Sequence, residues 1–381
     1  MKKRLIACIV AIIVVFLSIF ISSTDTPKKS HIPAPRLTPV LSESRHASEQ
    51  LTDGLFIDAN IPLALEDCFS YTLEKLDLDA ETAKHIFFNG NRSVSMVYTD
   101  TQGNAYENGD YAIYGENGER LTKSRSSISY VNAKYQQHLE IEDLLLRYVE
   151  KHPEGKAHSL SFMSKEDALA YGLSIIQAIG IPFTPVEDIF IGLEHDKIIS
   201  WQQELLNDEN SHYDIFDKAI ILSNLDEHDD VYYLMFSFDY GGIPIFGTNS
   251  PNISFADAVL PPAAVYAKML ITANGIEYFD LYPAYTVTGT KERSSVISPE
   301  AAIAKVKEKY ESTITFGNSK IVSICMEYIP FETVGQTVLR PYWCLSISSE
   351  KTGDDGRPYW SDYLSAERIN AFTGEDLAYG G

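Results

Sequence analysis

The amino-acid sequence predicts an α+β protein with an N-terminal membrane helix, a β-rich domain, and two tandem units in which a helix packs on an antiparallel sheet. Three observations support this prediction. An uncharged apolar run lies close to the N-terminus. Aromatic residues make up 12% of the 381 residues, and this composition is typical of β-rich folded structure rather than disorder. Two stretches, beginning at Ser164 and Ser298, each show helical periodicity followed by strand-like runs.

The N-terminal segment has the pattern of a membrane anchor. Lys2, Lys3 and Arg4 precede Leu5–Ile21, which is 17 residues long and carries no charge. This length is just sufficient for a helix to cross a bilayer. Positive charge on the short side predicts a cytoplasmic N-terminus and an extracytoplasmic body. Residues 1–23 are therefore predicted to anchor a single-pass protein in the cell membrane, and a cleaved signal peptide is the alternative.

The next two regions differ in composition. Residues 24–50 contain four prolines among Ser, Lys and Arg with few large apolar groups, which predicts a flexible spacer. Residues 51–155 contain short alternating runs separated by turn signals such as Asn89-Gly90 and Asn117-Gly118. This pattern predicts an N-terminal α+β domain.

Two similar units are expected to follow. Ser164 and Asp167 have the spacing of a helix N-cap pair, and Gly180 with Pro182 ends the predicted helix. Strand-like runs then continue to residue 289. Ser298 is expected to cap a second helix, which two further strand runs follow. The repeated order of elements predicts tandem units over residues 156–289 and 290–381.

Charge and missing motifs restrict the function. The chain has 53 acidic and 31 basic side chains and a formal charge of −22, so phosphate backbones would repel it. Nucleic-acid binding is therefore not expected. The acidic charge instead serves either to keep the protein solvated or to bind a basic partner. The sequence contains no H-E-x-x-H or G-x-S-x-G motif and no phosphate-binding glycine loop. It predicts a protein that is not an enzyme and has no cofactor.

Two polar clusters contain residue types that bind metal ions. The acidic loop Asp226–Asp230 offers several carboxylates to Ca²⁺, but it lacks the alternating spacing of an EF-hand, so a solvated turn is the simpler interpretation. His195 and His212 lie near Glu194 and Glu204, yet their spacing fits no zinc pattern. No metal site is predicted.

Two cysteines lie on strands that form one predicted hairpin. If that hairpin is centred between Val334 and Gly335, Cys325 and Cys344 are direct cross-strand neighbours and close enough for a disulfide. A one-residue slip would leave two ordinary thiols.

Aromatic residues that we expect to be exposed crowd the strands and turns of the two predicted tandem units. Interfaces favour Tyr and Trp at their centres, although packing in the core or at a sheet edge also explains such residues. The candidates for an interaction surface are Tyr240, Phe246, Tyr342, Tyr359 and Trp360.

Three stretches carry a resemblance to known families. Tyr232–Gly247 (YYLMFSFDYGGIPIFG) resembles a strand-and-turn signature in propeptides of thermolysin-like proteases. Ser298–Tyr310 with Lys320–Pro330, and the ending Ile369–Leu377 (INAFTGEDL), are similar to the small PepSY-type domain. The order of anchor, spacer, domain and two such units resembles the YycH/YycI-type accessory proteins of Gram-positive bacteria.

The resemblance implies a non-catalytic regulatory or binding protein. It points to a membrane sensor kinase of the cell envelope as the partner. The alternative that it implies is a propeptide-like inhibitor or chaperone of an exported metalloprotease. A cell-envelope hydrolase is a third and more remote hypothesis.

Overall fold

The protein is described here from a computed structural model. The described residues are 44–63, 67–88, 94–97, 110–124, 126–132, 159–207, 225–247, 252–253, 264–312, 317–333, 336–353 and 356–377.

Within these ranges the chain forms 17 strands, four α-helices and one short 3₁₀ helix at Glu227–Asp229. The strands are β1 Ser44–Thr52, β2 Leu55–Pro62, β3 Asp67–Lys75, β4 Val94–Val97, β5 Tyr111–Gly115, β6 Arg120–Lys123, β7 Ile128–Val131, β8 Thr184–Leu193, β9 Val231–Tyr240, β10 Ile243–Pro244, β11 Asn252–Ile253, β12 Tyr266–Thr272, β13 Gly275–Tyr282, β14 Tyr285–Ser295, β15 Ser319–Thr333, β16 Gln336–Thr352 and β17 Pro358–Asn370. The helices are α1 Ala80–Phe88, α2 Lys165–Ile179, α3 His195–Asn207 and α4 Pro299–Ser312.

The strands form two sheets. The first has the order β1-β2-β15-β16-β17-β11, and β3 joins it by pairing with both β16 and β14. Its pairs β2–β15 and β11–β17 are parallel, and its other pairs are antiparallel. The second sheet is antiparallel, with the order β10-β9-β12-β13-β7-β6-β5-β4 and with β8 paired to β9. Helix α4 contacts the first sheet, and α2 contacts the second.

The predicted fold class is wrong. Strands β2 and β3 of the N-terminal region pair with β14, β15 and β16 near the other end of the chain, while β4–β7 extend the sheet formed by the middle region. The described chain is therefore a β-rich structure of two large sheets rather than a β-rich domain followed by two separate helix-on-sheet units. The physical reason is that periodicity identifies strands but does not specify their partners, and the pairings of β2 with β15 and of β3 with β14 join distant segments.

The predicted membrane helix is also corrected. The segment on which it depends, Leu5–Ile21, lies outside the described residues. Within the described ranges no helix is long and apolar enough to cross a bilayer. The longest of these helices, α2, has 15 residues, whereas a span needs about 20. The structure therefore gives no support to a single-pass protein of the cell membrane.

The end of the predicted spacer forms a strand. Residues 44–50 belong to β1, which pairs with β2 along its length. Most side chains of β1 are exposed, so the strand lacks the hydrophobic alternation that would reveal it in the sequence. Backbone pairing and the ion pair between Arg45 and Glu300 of α4, at 3.0 Å, hold it in place.

The predicted helix starts are confirmed. The Ser164 hydroxyl accepts a hydrogen bond from the Asp167 backbone N–H at 3.1 Å, and Gly180 ends α2 with a φ of 84°. The Ser298 hydroxyl accepts from the Ala301 backbone N–H at 3.2 Å, and α4 begins at Pro299. Local capping chemistry therefore determines where both helices begin.

A cluster of tyrosines joins the two sheets. The ring of Tyr71 on β3 lies 4.8 Å from that of Tyr240 on β9 and 5.8 Å from that of Tyr328 on β15. The Tyr328 hydroxyl donates a hydrogen bond to the Phe69 carbonyl at 3.0 Å. After β10, the Phe246 backbone N–H donates to the Tyr328 carbonyl at 2.7 Å. Each sheet therefore supplies part of one continuous core.

Candidate functional site

Three neighbouring strands of the first sheet place two thiols and a guanidinium in one row. Cys325 on β15 lies directly opposite Cys344 on β16, and Cys344 lies directly opposite Arg368 on β17. Thr333 pairs with Gln336, so the hairpin has the predicted centre. The predicted cross-strand register of the two cysteines is therefore confirmed.

The two thiols differ in exposure. Cys325 is exposed to solvent, whereas Cys344 is only 1% exposed. Strand alternation explains the side on which they lie, because Ile324 and Met326 on β15 point into the core and Cys325 points away from it. Both cysteines are free thiols in the structure, in a register that also suits a disulfide.

A buried ion pair lies beside the thiols. The Arg368 Nε donates to Glu327 Oε2 at 3.0 Å, and the two side chains are 1% and 5% exposed. The Arg368 guanidinium also lies 4.9 Å from the centre of the Phe246 ring. Buried charges of this kind require a partner because desolvation is costly. Glu327 and Phe246 together hold the guanidinium next to Cys344.

The two thiols have opposite electrostatic environments. A hydrogen bond from Cys344 lowers the pKa of Cys325 below its usual value, and the positive charge of Arg368 acts in the same direction. Donation of that hydrogen bond, together with burial, raises the pKa of Cys344 well above its usual value. The arrangement favours a thiolate on the exposed cysteine.

Three of the five residues in the predicted interaction surface are buried. Tyr240, Phe246 and Tyr342 are buried, so the prediction that they are exposed is wrong. Tyr240 packs between the rings of Tyr71 and Phe183, and Phe246 and Tyr342 form a small cluster with Ile329. These three residues have a structural role because strands from distant segments cover them.

The other two candidates lie next to the turn of the β16–β17 hairpin, where Tyr359 pairs with Lys351 and Trp360 pairs with Glu350. Tyr359 is 53% exposed, and Trp360 is half-buried. The Lys320 ammonium lies 4.5 Å from the centre of the Trp360 ring, and the Phe56 ring meets Trp360 edge-on at 6.4 Å. We call Phe56, Lys320 and Trp360 the aromatic patch. Tyr359 precedes Trp360 on β17, so strand alternation directs its side chain to the other face of the hairpin.

No motif in the sequence indicates that Phe56 and Lys320 lie together in this patch. They are 264 positions apart, and the parallel pairing of β2 with β15 makes them direct neighbours. Phe56 is the outward residue of a strand whose alternate positions, Leu55 and Ile57, are buried. That alternation is the one local signal that could have marked Phe56 as facing away from the core.

The acidic loop Asp226–Asp230 forms a capped 3₁₀ turn. Asp226 accepts from the His228 backbone N–H at 2.9 Å, and Asp229 accepts from the Asp226 backbone N–H at 2.9 Å. Asp230 accepts from the His195 backbone N–H at 2.9 Å and contacts its ring Nδ1 at 2.7 Å. Among the described residues no group of three or more side chains is arranged to hold a metal ion. The hydrogen bonds agree with the turn interpretation, and His212 lies outside the described residues.

His195 is expected to make the stability of the fold pH-dependent. Its hydrogen bond with Asp230, assisted by the charges of Asp230, Asp196 and Asp226, raises its pKa above the usual 6.5. A group whose pKa is raised by folding stabilises the folded state fully below its unfolded pKa. That contribution is lost as pH rises through the folded pKa. We expect His195→Ala to cost more unfolding free energy at pH 6 than at pH 9.

Urea unfolding of the wild type and of His195→Ala at both pH values measures this difference. His195→Gln is the control, because it keeps a polar side chain that does not titrate. An equal cost of His195→Ala at the two pH values would contradict the assigned role of the imidazolium.

A polar contact fixes the last described turn. The Lys309 ammonium at the end of α4 donates to Glu367 on β17 at 2.6 Å and to Asp376 at 2.8 Å. Glu367 and Asp376 flank the Thr373-Gly374-Glu375 turn, in which Gly374 has a φ of 74°. This part of the stretch that resembles a PepSY ending thus joins the helix to the sheet.

Comparison with known proteins supports the fold alone. No family model matches the chain, and no curated protein matches it. A crystal structure of an uncharacterized protein from Eubacterium rectale has a similar fold, with a TM-score of 0.53 and 14% sequence identity. The similarity covers 87% of this chain and 93% of that one. The resemblance to PepSY-type and YycH/YycI-type proteins is not tested by these matches and stays a prediction.

Proposed function

We propose that this chain is a non-catalytic binding protein that docks a basic protein partner through the aromatic patch and the neighbouring Tyr359. The observation that carries the proposal is a pair of consecutive aromatic residues at the turn of the β16–β17 hairpin: Tyr359, which is 53% exposed, and Trp360, whose ring contacts Lys320 and Phe56. Tyr and Trp are the residues that most often dominate the energy of protein interfaces. Here they lie on a paired hairpin of a large sheet, so little ordering is needed before binding.

The negative charge of the chain supports the proposal that the partner is basic. The formal charge of −22 attracts positively charged surfaces over a distance and repels acidic ones. Inside the patch, Lys320 lies over the ring of Trp360 and holds that ring in one orientation. We therefore assign long-range attraction to the acidic body and affinity to the aromatic side chains.

The proposal is tested by site-specific photocrosslinking in the cells that produce the protein. A photoreactive phenylalanine analogue replaces Tyr359 in one variant and Val186 in the control. Val186 is also a large exposed apolar residue, at 43%, but it lies on β8 of the second sheet. We expect a basic protein to be crosslinked from position 359 and not from position 186.

The identity of the crosslinked protein separates the partners implied by the sequence. A sensor kinase would agree with regulation, and an exported protease would agree with inhibition or chaperoning. Crosslinking of the same proteins from both positions, or of none from position 359, would overturn the assigned docking surface.

A further inference from the structure

We propose that Cys325 and Cys344 form a thiol–disulfide exchange site, in which the exposed Cys325 attacks a small-molecule disulfide and the buried Cys344 resolves the mixed disulfide. The cross-strand register and the difference in exposure between the two cysteines carry this inference. It does not rest on the proposed binding function.

The backbone is already arranged for the bond. Directly opposite residues of an antiparallel pair have Cα atoms about 4.5 or about 5.5 Å apart, depending on the type of pair. Both values lie in the range of about 4.4–6.8 Å that disulfides occupy. Cys325 and Cys344 are such a pair, inside a ladder that continues on both sides of them. Their oxidation therefore requires no shift in strand register.

The difference in exposure between Cys325 and Cys344 determines which thiol attacks first and which one resolves the mixed disulfide. A small disulfide can reach the sulfur of Cys325, whereas Cys344 is 1% exposed and is reached only from within the protein. The first attack therefore comes from Cys325. The adduct on Cys325 is then next to Cys344, which is held directly across the ladder.

The neighbouring charges act on the attacking sulfur. The hydrogen bond from Cys344 favours a thiolate on Cys325 most strongly, partial burial and the charge of Glu327 oppose it, and the charge of Arg368 favours it. The resulting pKa lies below the usual value, which increases the thiolate fraction at neutral pH. Cys68 provides the contrast, because it is buried, lies 3.3 Å from the Tyr328 hydroxyl and has a raised pKa.

The small-molecule disulfide that reacts is the oxidant for the two protein thiols. The Cys325 thiolate attacks one sulfur of R–S–S–R, so the S–S bond breaks and one RS⁻ leaves. Cys344 loses its proton to solvent and attacks the Cys325 sulfur, which expels the second RS⁻. Two protein thiols are oxidised to one disulfide, and the small disulfide is reduced to two RSH.

Glutathione disulfide is the probe for the test. The reduced full-length protein is mixed with it, quenched with acid at intervals and analysed by mass spectrometry after digestion at glutamate. Glu327 and Glu332 lie between the two cysteines, so this digestion separates their peptides unless a disulfide joins them. We expect the joined peptides to appear without lasting glutathione adducts and Cys68 to stay reduced.

Two variants assign the order of the steps. Cys344→Ser should accumulate a glutathione adduct on Cys325, and Cys344→Ala repeats the test if serine disturbs the buried site. Cys325→Ser, at an exposed position, should lose the joined peptides and leave Cys344 unmodified. Lasting adducts on wild-type Cys325, or equal reaction of Cys325 and Cys68, would overturn the proposal.

Discussion

Replacement of Glu327 by alanine is expected to lower the free energy of unfolding by about 3–5 kcal/mol, because it leaves a buried guanidinium without its compensating carboxylate. Glu327 and Arg368 are 3.0 Å apart, with side-chain exposures of 5% and 1%. Water cannot replace the lost carboxylate at such a site without reorganisation of the sheet. The measurement is urea unfolding followed by circular dichroism, with the free energy extrapolated to zero urea.

A double variant separates the cost of leaving one buried charge without its partner from the contribution of the ion pair itself. Glu327→Leu combined with Arg368→Met removes both charges and keeps similar volumes, and such replacements are often neutral or stabilising by about 1–4 kcal/mol. We therefore expect the double variant to be much more stable than Glu327→Ala. A loss below about 1 kcal/mol in Glu327→Ala, typical of exposed pairs, would show that the pair is solvated.

Replacement of Trp343 by alanine is expected to cost about 3–5 kcal/mol, because it removes a large core side chain and leaves a cavity. Trp343 on β16 is 0% exposed, and its indole N–H donates to the Ile297 carbonyl at 2.9 Å, just before α4. The substitution therefore loosens the first sheet and its helix together. Trp343→Phe keeps most of the volume and should cost less.

Trp360→Ala is the matched control for this prediction. It makes the same substitution on a half-buried side chain in the same sheet, whose cation–π contact is worth about 0.5–1 kcal/mol. Thermal and urea unfolding should rank the variants with Trp343→Ala far below Trp360→Ala. Equal losses in the two variants would contradict the burial assigned to Trp343.

Local chemistry explains what the sequence predicted correctly. The caps at Ser164 and Ser298 are set by side chains within three residues of the helix start. The opposition of Cys325 and Cys344 follows from a hairpin whose strands are adjacent in sequence, so counting from its centre gives the register. In each case the interacting groups lie near one another along the chain.

Long-range pairing explains what the sequence predicted wrongly. Nothing local in β2 specifies that it pairs with β15, and this parallel pairing makes Phe56 a neighbour of Lys320. The burial of Tyr240 likewise depends on Tyr71, which belongs to the other sheet. Arg368 and Glu327 are ordinary polar residues in the sequence, and only their register in the sheet makes them a buried pair.

The affinity of the patch for the protein crosslinked at position 359 tests the proposed function most directly. The purified partner is titrated into the wild type, Trp360→Ala and Val186→Ala, with unfolding curves to confirm that all three are folded. Loss of a central interface side chain costs about 2 kcal/mol or more, which corresponds to an affinity about 30-fold weaker. We expect that loss in Trp360→Ala and wild-type affinity in Val186→Ala. Wild-type affinity in folded Trp360→Ala would contradict a docking role for the aromatic patch.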